Sequence, residues 1–361
     1  MVRRVIKSGL ACGFRWSGAS LVRRRLHGRS GTPWIVAYHR VVEDYALSAR
    51  RSIPAMLISR AMLRRHLDWI GRRFDIVPLD EIVPGRRRGG RFRRPTAAIT
   101  FDDGFHDVYE LAFPLLKAKG MPAAVFVVTS LVGTSGVPLF ERLYLALLRA
   151  RHASPSPRAR LERIVSSLGL EMGGPADPPG GAGDPLRLTR LLLERLRRDD
   201  LAPVVDTLEK EVGVDDAALH ERRPLTWDML KEMRRSGITV GSHTRRHALL
   251  TLESEKHVVE ETLGSRRDLE ERLGAAVGHF AYPNGWFDGS TVAAVQAAGY
   301  RFAYTSCRHR DPAYPLLTLP RTILWERSSL GVFGTFSPAV MGCQADGTFY
   351  SSGLCPSHRR N

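Results

Sequence analysis

Short apolar runs alternate with segments of helical periodicity along most of this 361-residue chain. An uninterrupted apolar run of about five residues is typical of a buried strand, whereas apolar residues that recur every three or four positions indicate a helix. Helical spacing is seen in Leu63, Leu67 and Ile70, and Gly120 and Gly299 mark helix ends. The predicted strands are 35–38, 97–101, 123–128, 238–240, 278–282 and 302–304. This alternation predicts a parallel sheet that is either open or closed into a barrel.

The alternation stops between about residues 140 and 223. Residues 171–185 are dense in glycine and proline, as in a flexible loop, and the flanking segments carry leucines at helical spacing, such as Leu161 and Leu168. We interpret this region as a mostly helical insertion into one α/β domain that spans 31–335. A boundary between two domains is the weaker alternative, because the two flanks complete one another. Residues 336–361 lack periodicity, which predicts a loose C-terminal tail.

The chain is strongly basic, with 54 lysines and arginines against 37 aspartates and glutamates. This balance favours anionic partners, although genomic composition accounts for it equally well. Residues 1–30 contain no apolar run long enough for a signal peptide or a membrane span. We therefore expect a basic helical leader, either solvated or in peripheral contact with an anionic membrane surface, and a cytoplasmic or membrane-associated location. The arginine cluster at 86–94 belongs to no known nucleic-acid motif, so no nucleic acid is expected as a partner.

Two adjacent carboxylates follow one of the predicted strands. Asp102 and Asp103 come directly after 97–101 and are followed by Gly104. Ligand sites of α/β folds gather at the carboxyl ends of strands, and two carboxylates so close together need a cation or a shared proton. The alternative is a helix start, where aspartate is a common N-cap. The pair is therefore a candidate for a metal or proton-transfer site.

A second candidate follows the strand predicted at 238–240. His243 and His247 are four residues apart, a spacing that places two imidazoles on one face of a helical turn. With one of the two aspartates they form a two-histidine, one-carboxylate set, which leaves metal positions open for water and substrate. The other aspartate is then free to take a proton from that water. The residues alone therefore predict metal-assisted hydrolysis. The four cysteines are scattered and form no CxxC pair, so a thiolate zinc site is not expected.

Together, the motifs TFDDG at 100–104 and HTRRH at 243–247 resemble those of the NodB-type polysaccharide deacetylases, carbohydrate esterase family 4. The resemblance runs from YHRV at 38–41 through FAYPNG at 280–285 to LPR at 319–321. It implies a distorted (β/α)7 barrel. It also implies that Asp103, His243 and His247 hold a divalent metal and that Asp102 is the general base. Zinc suits this donor set best, and manganese, iron, cobalt or nickel are the alternatives.

Three positions depart from the family pattern. Ala281 stands where an arginine usually pairs with the catalytic aspartate, which predicts that Asp102 lacks this partner. Asn284 replaces the usual tyrosine, and the late histidine motif that supplies the general acid has no match after Pro315. One branch of the family carries a histidine after the first strand, which implies that His39 is the proton donor. A buried histidine bonded to the backbone is the alternative.

The resemblance implies removal of N-acetyl groups from aminosugar residues of a polysaccharide or its lipid-linked precursor. The segment Tyr282, Pro283 and Asn284 is expected to contact substrate and to offer a backbone N–H to the oxyanion. Trp286 either stacks on a sugar ring or anchors its loop. A catalytically silent carbohydrate-binding protein with the same fold is the main alternative, and a basic membrane or nucleic-acid binder is a further one.

Overall fold

The computed structural model describes residues 33–82, 95–153, 156–169, 184–214 and 219–349. The predicted leader at 1–30, the arginine cluster at 86–94 and most of the loop at 171–185 lie outside these residues, so the expected membrane contact of the leader stays a prediction. Within the described part of the chain, no helix is both long and apolar enough to span a membrane.

Eleven strands are present in the described residues, and every strand pair is parallel. They are β1 Trp34–Tyr38, β2 Arg40–Val42, β3 Leu57–Ser59, β4 Asp75–Ile76, β5 Thr96–Phe101, β6 Ala124–Val127, β7 Thr239–Ser242, β8 His279–Ala281, β9 Phe302–Thr305, β10 Leu319–Pro320 and β11 Thr322–Ile323. The main sheet has the order β10-β9-β8-β7-β6-β5-β1-β11, and β4 pairs with β5 outside this path. The six strands predicted from apolar runs are therefore all present.

The two end strands of the sheet belong to one stretch of chain. Only Arg321 separates β10, which pairs with β9, from β11, which pairs with β1. Its backbone N–H donates to the Thr305 carbonyl at 2.7 Å, and the Leu324 N–H donates to Ala37 at 2.8 Å. Residues 319–323 therefore join the two edges of the sheet. The result is a barrel with seven strand positions in the described chain, which confirms the distorted (β/α)7 fold.

Twelve α-helices are present in the described residues, eleven of them between strands and one after the last strand. They are α1 Tyr45–Ser48, α2 Arg60–Gly71, α3 Phe113–Ala118, α4 Leu139–Ala153, α5 Pro157–Ser167, α6 Pro185–Leu193, α7 Arg198–Val212, α8 Trp227–Arg235, α9 Glu255–Val259, α10 Ser265–Leu273, α11 Gly289–Ala297 and α12 Pro338–Ala345. The π-helical turns Val108–Ala112 and Glu260–Gly264 lead into α3 and α10. Thr226 is the N-cap of α8, and its hydroxyl accepts from the Met229 N–H at 3.2 Å.

Alternate residues of each barrel strand face two different cores. In β5, Ala97 and Ile99 pack in the large cluster that includes the surrounding helices. Ala98 packs instead in a smaller cluster with Phe126 and Tyr304, which lies inside the barrel. This follows from the two-residue period of a strand. By the same parity, a side chain at position 102 points into the barrel from the carboxyl end of β5.

The predicted insertion, at about 140–223 between β6 and β7, forms α4 to α7, and no strand lies in its described part. These helices share an apolar core of their own, centred on leucines of α4, α6 and α7. A second cluster joins Phe140 and Tyr144 of α4 to Phe105, which follows the two aspartates. Because this insertion begins at the carboxyl end of β6, it lies on the same side of the barrel as the predicted site.

The predicted loose tail is wrong for residues 338–345. They form α12, in which Val340 and Met341 are fully buried and Ser337 caps the first turn. Small and polar residues interrupt the apolar pattern of this helix, so helical periodicity is not visible in the sequence. Residues 350–361 lie outside the described structure.

A candidate metal centre at the carboxyl end of the barrel

The two aspartates diverge because the chain turns sharply at the end of β5. Asp103 has a φ of 69° and Gly104 a φ of 71°, both in the left-handed region. The Asp102 N–H still donates to the Tyr38 carbonyl at 2.9 Å, so the ladder with β1 continues to that residue. Non-glycine residues in this region are strained, and such strain is concentrated at functional sites. The turn therefore brings Asp103 to the same edge of the barrel as Asp102.

Asp103, His243 and His247 converge on one point. The Asp103 Oδ1 lies 3.4 Å from the His243 Nε2 and 3.3 Å from the His247 Nε2, and the three ligand atoms lie within 4.8 Å of one another. Two donors about 2.1 Å from one tetrahedral ion are roughly 3.4 Å apart. Both carboxylate oxygens of Asp103 are buried without a hydrogen bond, which is costly unless a cation is nearby. The residues therefore fit a divalent metal.

The two histidines do not reach this point through a helical turn, and that part of the prediction is wrong. Residues 243–249 are non-helical, and Thr244 and His247 have φ values of 65° and 60°. The buried Glu261 carboxylate accepts from the backbone N–H groups of Arg245 and Arg246 at 2.9 and 2.8 Å. These bonds hold the irregular loop, so that the two imidazole centroids are 4.9 Å apart.

Contacts behind the two imidazoles fix their orientation. The His243 Nδ1 lies 2.8 Å from the Ala281 carbonyl and donates to it, which leaves the Nε2 lone pair directed at Asp103. Metal-binding histidines usually have such a second partner. The His247 ring contacts the Phe140 ring at a centroid distance of 4.8 Å. The helical insertion therefore touches one of the predicted ligands directly.

Burial and neighbouring charges set the protonation of Asp103 and His243. Burial lowers the pKa of His243 to about 4. Burial alone would raise the pKa of Asp103, but the nearby imidazole of His247, with the charges of His39 and His243, holds it at about 2. At neutral pH the carboxylate is therefore charged and His243 is neutral. These are the forms that bind a metal ion.

Asp102 has an arginine partner, so the prediction that it lacks one is wrong. The Arg321 Nη1 and Nη2 donate to the two Asp102 oxygens, both at 2.7 Å, and both side chains are buried. The Arg321 Nη1 also donates to the Thr100 hydroxyl at 3.1 Å, and the guanidinium lies over the Phe126 ring. Burial raises the pKa of Asp102, but the charges of Arg321 and His243 and the two hydrogen bonds outweigh it and lower that pKa.

His39 lies between β1 and β2, next to the two aspartates. Its side chain is half-buried and makes no hydrogen bond to any described residue, and its Nδ1 is buried. Burial raises the pKa values of Asp102 and Asp103, but the imidazole of His39 is among the groups that lower both. The backbone-bonded histidine considered as the alternative is therefore not observed. This imidazole has its hydrogen-bonding capacity available at the edge of the site.

Two of the four predicted substrate contacts are misplaced. The Tyr282 side chain is fully buried and its hydroxyl donates to the Leu317 carbonyl at 3.1 Å, while Pro283 is also buried. Their apolar surface is in the protein core, so neither side chain is available to a sugar. Asn284 is exposed with a φ of 55°, and Trp286 is half-buried against the large core. These two remain candidates for substrate contact.

A substitution at Gly104 tests the turn that carries Asp103. A Cβ added there would meet the Val127 Cγ1 at 2.8 Å, whereas one added at Gly120, also of positive φ, would meet nothing within 4 Å. Replacing Gly120 with Ala is expected to cost about 1–2 kcal/mol of folding free energy, and Gly104→Ala about 1–3 kcal/mol more. Chemical denaturation of both variants measures this difference, and metal titration should show weaker binding only for Gly104→Ala. Equal stabilities would mean that the turn adapts without strain.

Fold and site together define a parallel (β/α)7 barrel with a two-histidine, one-carboxylate metal site at its carboxyl edge. The sequence profile of the polysaccharide deacetylase family matches residues 89–169 and 189–303, more than half of the chain. This chain belongs to that family.

Sequence and structural relatives are consistent with this assignment. The poly-β-1,6-N-acetyl-D-glucosamine N-deacetylase of Staphylococcus aureus is 25% identical over 118 residues, which make up 30% of this chain and 40% of that protein. Among solved structures, Streptococcus pyogenes deacetylase PplD, in complex with acetate, is 16% identical with a TM-score of 0.53. IcaB from Ammonifex degensii is 18% identical with a TM-score of 0.51. Each alignment covers 87% of this chain and 97% of the other. At these identities the two structures show the common fold alone.

Proposed function

We propose that this protein is a metal-dependent N-deacetylase that acts on N-acetylated aminosugar residues of a polysaccharide or its lipid-linked precursor. One observation carries the proposal: Asp103, His243 and His247 converge beside an ionised, arginine-paired Asp102 in a chain of the polysaccharide deacetylase family. The staphylococcal relative deacetylates poly-β-1,6-N-acetyl-D-glucosamine, which makes this polymer the first substrate to test.

The donor set favours zinc, since two imidazoles and one carboxylate suit a tetrahedral ion with an open position. Manganese, iron, cobalt and nickel accept the same donors. A divalent ion bound there would polarise the acetyl carbonyl and acidify a water molecule.

The residues around the site can divide the proton transfers between them. Asp102 would accept a proton from the attacking water, because Arg321 keeps its carboxylate charged and oriented. His39 would deliver a proton to the leaving nitrogen, since its imidazole is unengaged at the edge of the site. The Tyr282 N–H donates to the Tyr304 carbonyl, so the Asn284 N–H is the remaining backbone donor of that segment for the oxyanion.

The alternative of a silent carbohydrate-binding protein loses one of its supports. The absence of an arginine at position 281 favoured it, but Arg321 supplies the ion pair from the segment between β10 and β11 that closes the barrel. A binding protein has no need of buried ligand oxygens without hydrogen bonds, which are costly to maintain.

Release of acetate from β-1,6-linked and β-1,4-linked N-acetylglucosamine oligomers, with and without chelator, tests the proposal. We expect acetate from at least one oligomer, loss of activity on chelation and recovery on addition of zinc. Activity that chelator leaves unchanged would contradict metal dependence. Oligomer binding without acetate release by the zinc-loaded protein would favour the silent binding protein.

A further inference from the structure

The position of His39 depends on its backbone, because its side chain makes no hydrogen bond to the described residues. The residue before it is held by the end of β5, since the Tyr38 carbonyl accepts from the Asp102 N–H at 2.9 Å. The residues after it are held by Asp107, whose Oδ1 accepts from the Val41 N–H at 3.1 Å. The segment from Asp102 to Asp107 therefore fixes the loop of His39 on both sides.

Asp107 also binds the side chain next to His39. The Arg40 Nε donates to the Asp107 Oδ2 at 2.9 Å, and both side chains are largely buried, with exposures of 5% and 13%. The Arg40 Nη2 donates to the Glu221 carbonyl at 2.7 Å, and its guanidinium lies over the Phe105 ring. One carboxylate thus fixes both the backbone and the arginine that follow His39.

The same arginine connects this loop to the helical insertion. The Ser52 hydroxyl accepts from the Arg40 Nη1 at 3.1 Å and from the Arg222 Nη2 at 2.6 Å. The Arg222 Nε donates to the Glu141 Oε2 at 3.0 Å, and neither of these two side chains is exposed. Glu141 lies at the start of the insertion and Arg222 at its end. A buried chain of hydrogen bonds thus runs from the base of the insertion to Asp107.

Stability alone is a weak explanation for such a chain of buried hydrogen bonds. Two arginines and two carboxylates balance in charge, but the desolvation of buried ion pairs often cancels their attraction, and apolar residues of similar volume are often as stable. One Glu141 oxygen is also buried without a partner, which adds to the cost. These hydrogen bonds do provide one fixed arrangement of the segments that they join.

We propose that Asp107 and Arg40 are positioning residues that hold the His39 imidazole where it can protonate the leaving amine, and that Glu141 and Arg222 tie the insertion to the same loop. This rests on the proposed function, in which His39 is the proton donor. A displacement of about 1 Å in a catalytic group can cost roughly 10²-fold in rate. The expected effect is therefore on proton donation rather than on metal binding.

The leaving group separates this role from general damage. An amine leaves an acetamide only when it is protonated, whereas 4-nitrophenolate leaves an activated acetate ester without an acid. A variant with a displaced His39 should thus lose amide hydrolysis but keep ester hydrolysis. Loss of the metal or of the fold would remove both activities together.

We would compare Asp107→Asn and His39→Ala with the matched control Asp228→Asn, whose carboxylate is fully accessible on α8 with an exposure of 96%. For Asp107→Asn we expect kcat on an N-acetylglucosamine oligomer to fall about 10- to 100-fold with KM nearly unchanged. The rate on 4-nitrophenyl acetate and the zinc content should stay within about 2-fold. His39→Ala should show the same pattern, and the double variant should be no slower on the oligomer than His39→Ala.

Four outcomes would contradict the proposal in distinguishable ways. Equal losses of Asp107→Asn on both substrates would refute the positioning role alone. So would full activity of Asp107→Asn on the oligomer while His39→Ala is impaired. Full activity of His39→Ala on both substrates would refute the acid assignment and the positioning role with it. A wild-type protein that releases no acetate would refute the proposed function itself. If Asp107→Asn does not fold, Arg40→Lys, which keeps the charge but loses the Nη donors to Ser52 and Glu221, carries the same expectation.

Discussion

Replacing Asp102 with Asn is expected to lower the rate of acetate release about 10²- to 10⁴-fold while the metal stays bound. Asparagine keeps the size of the side chain but cannot accept the proton of the attacking water. Metal binding should be unaffected, because the ligand oxygen is supplied by Asp103. The backbone of Asp103, with a φ of 69°, turns out of the extended conformation of β5. Zinc content by elemental analysis and acetate release under saturating substrate measure the two properties separately.

Asp103→Ala and Asp228→Asn serve as comparisons for this experiment. The first removes the carboxylate that lies 3.3–3.4 Å from both imidazoles, so zinc and activity should be lost together. The second alters a fully accessible carboxylate and should change neither. Full activity of Asp102→Asn would exclude it as the base, and loss of zinc from that variant would mean that the two aspartates have the reverse roles. Circular dichroism checks folding, because Asp102→Asn leaves Arg321 without its counter-charge.

The proposed division of roles between the two aspartates follows from strand geometry that the sequence already contains. The apolar run at 97–101 predicts β5, and its two-residue period points position 102 into the barrel. Gly104 indicates a turn, but the turn begins one residue earlier, at Asp103. Apolar periodicity is a strong signal for long buried strands, so a parallel sheet with converging carboxyl ends could be predicted from the residues. The closed barrel is implied only by the family resemblance of the motifs.

Other parts of the site depend on tertiary contacts that leave little local signal. The strands β10 and β11 have two residues each, and neither shows a recognisable apolar run around Arg321. The loop of His243 and His247 has helical spacing but takes its shape from hydrogen bonds to Glu261, far along the chain. Tyr282 has the residue type of a sugar contact, yet its hydroxyl is satisfied inside the protein.

Arg321 is the partner of Asp102 that the family motifs did not reveal and that the fold explains. Position 281 is the last residue of β8, and a side chain there belongs to the interior cluster of the barrel. Arg321 enters the same interior from the segment that closes the sheet, between the edges of β9 and β1. An arginine can thus reach the carboxylate of Asp102 from more than one strand. The pairing is a property of the barrel interior rather than of a single motif.

Replacing Arg321 with Met is expected to destabilise the metal-free protein by about 3–5 kcal/mol at neutral pH, the usual cost of leaving one member of a buried ion pair uncompensated. Both side chains are nearly inaccessible, with exposures of 1% and 3%, so solvent screening reduces this figure little. Urea denaturation in the presence of chelator measures the difference between wild type and variant. Arg235→Met, on the exposed face of α8, should change the free energy of unfolding by less than about 0.5 kcal/mol.

The pH dependence of this difference shows whether charge is its cause. In the wild type, burial raises the pKa of Asp102, but the charges of Arg321 and His243 lower it by more, so that the pKa lies below its ordinary value. A carboxyl group with a lowered folded-state pKa stabilises the protein above its unfolded-state pKa, about 3.9, and loses this contribution as the pH falls through the folded-state value. In Arg321→Met the charge of Arg321 no longer opposes the effect of burial on the pKa of Asp102. Asp102 should therefore take up its proton at higher pH. The difference between wild type and variant should therefore be largest near pH 7 and shrink towards pH 3. A difference that is independent of pH would indicate lost packing against Phe126 and Tyr304 instead of a lost ion pair.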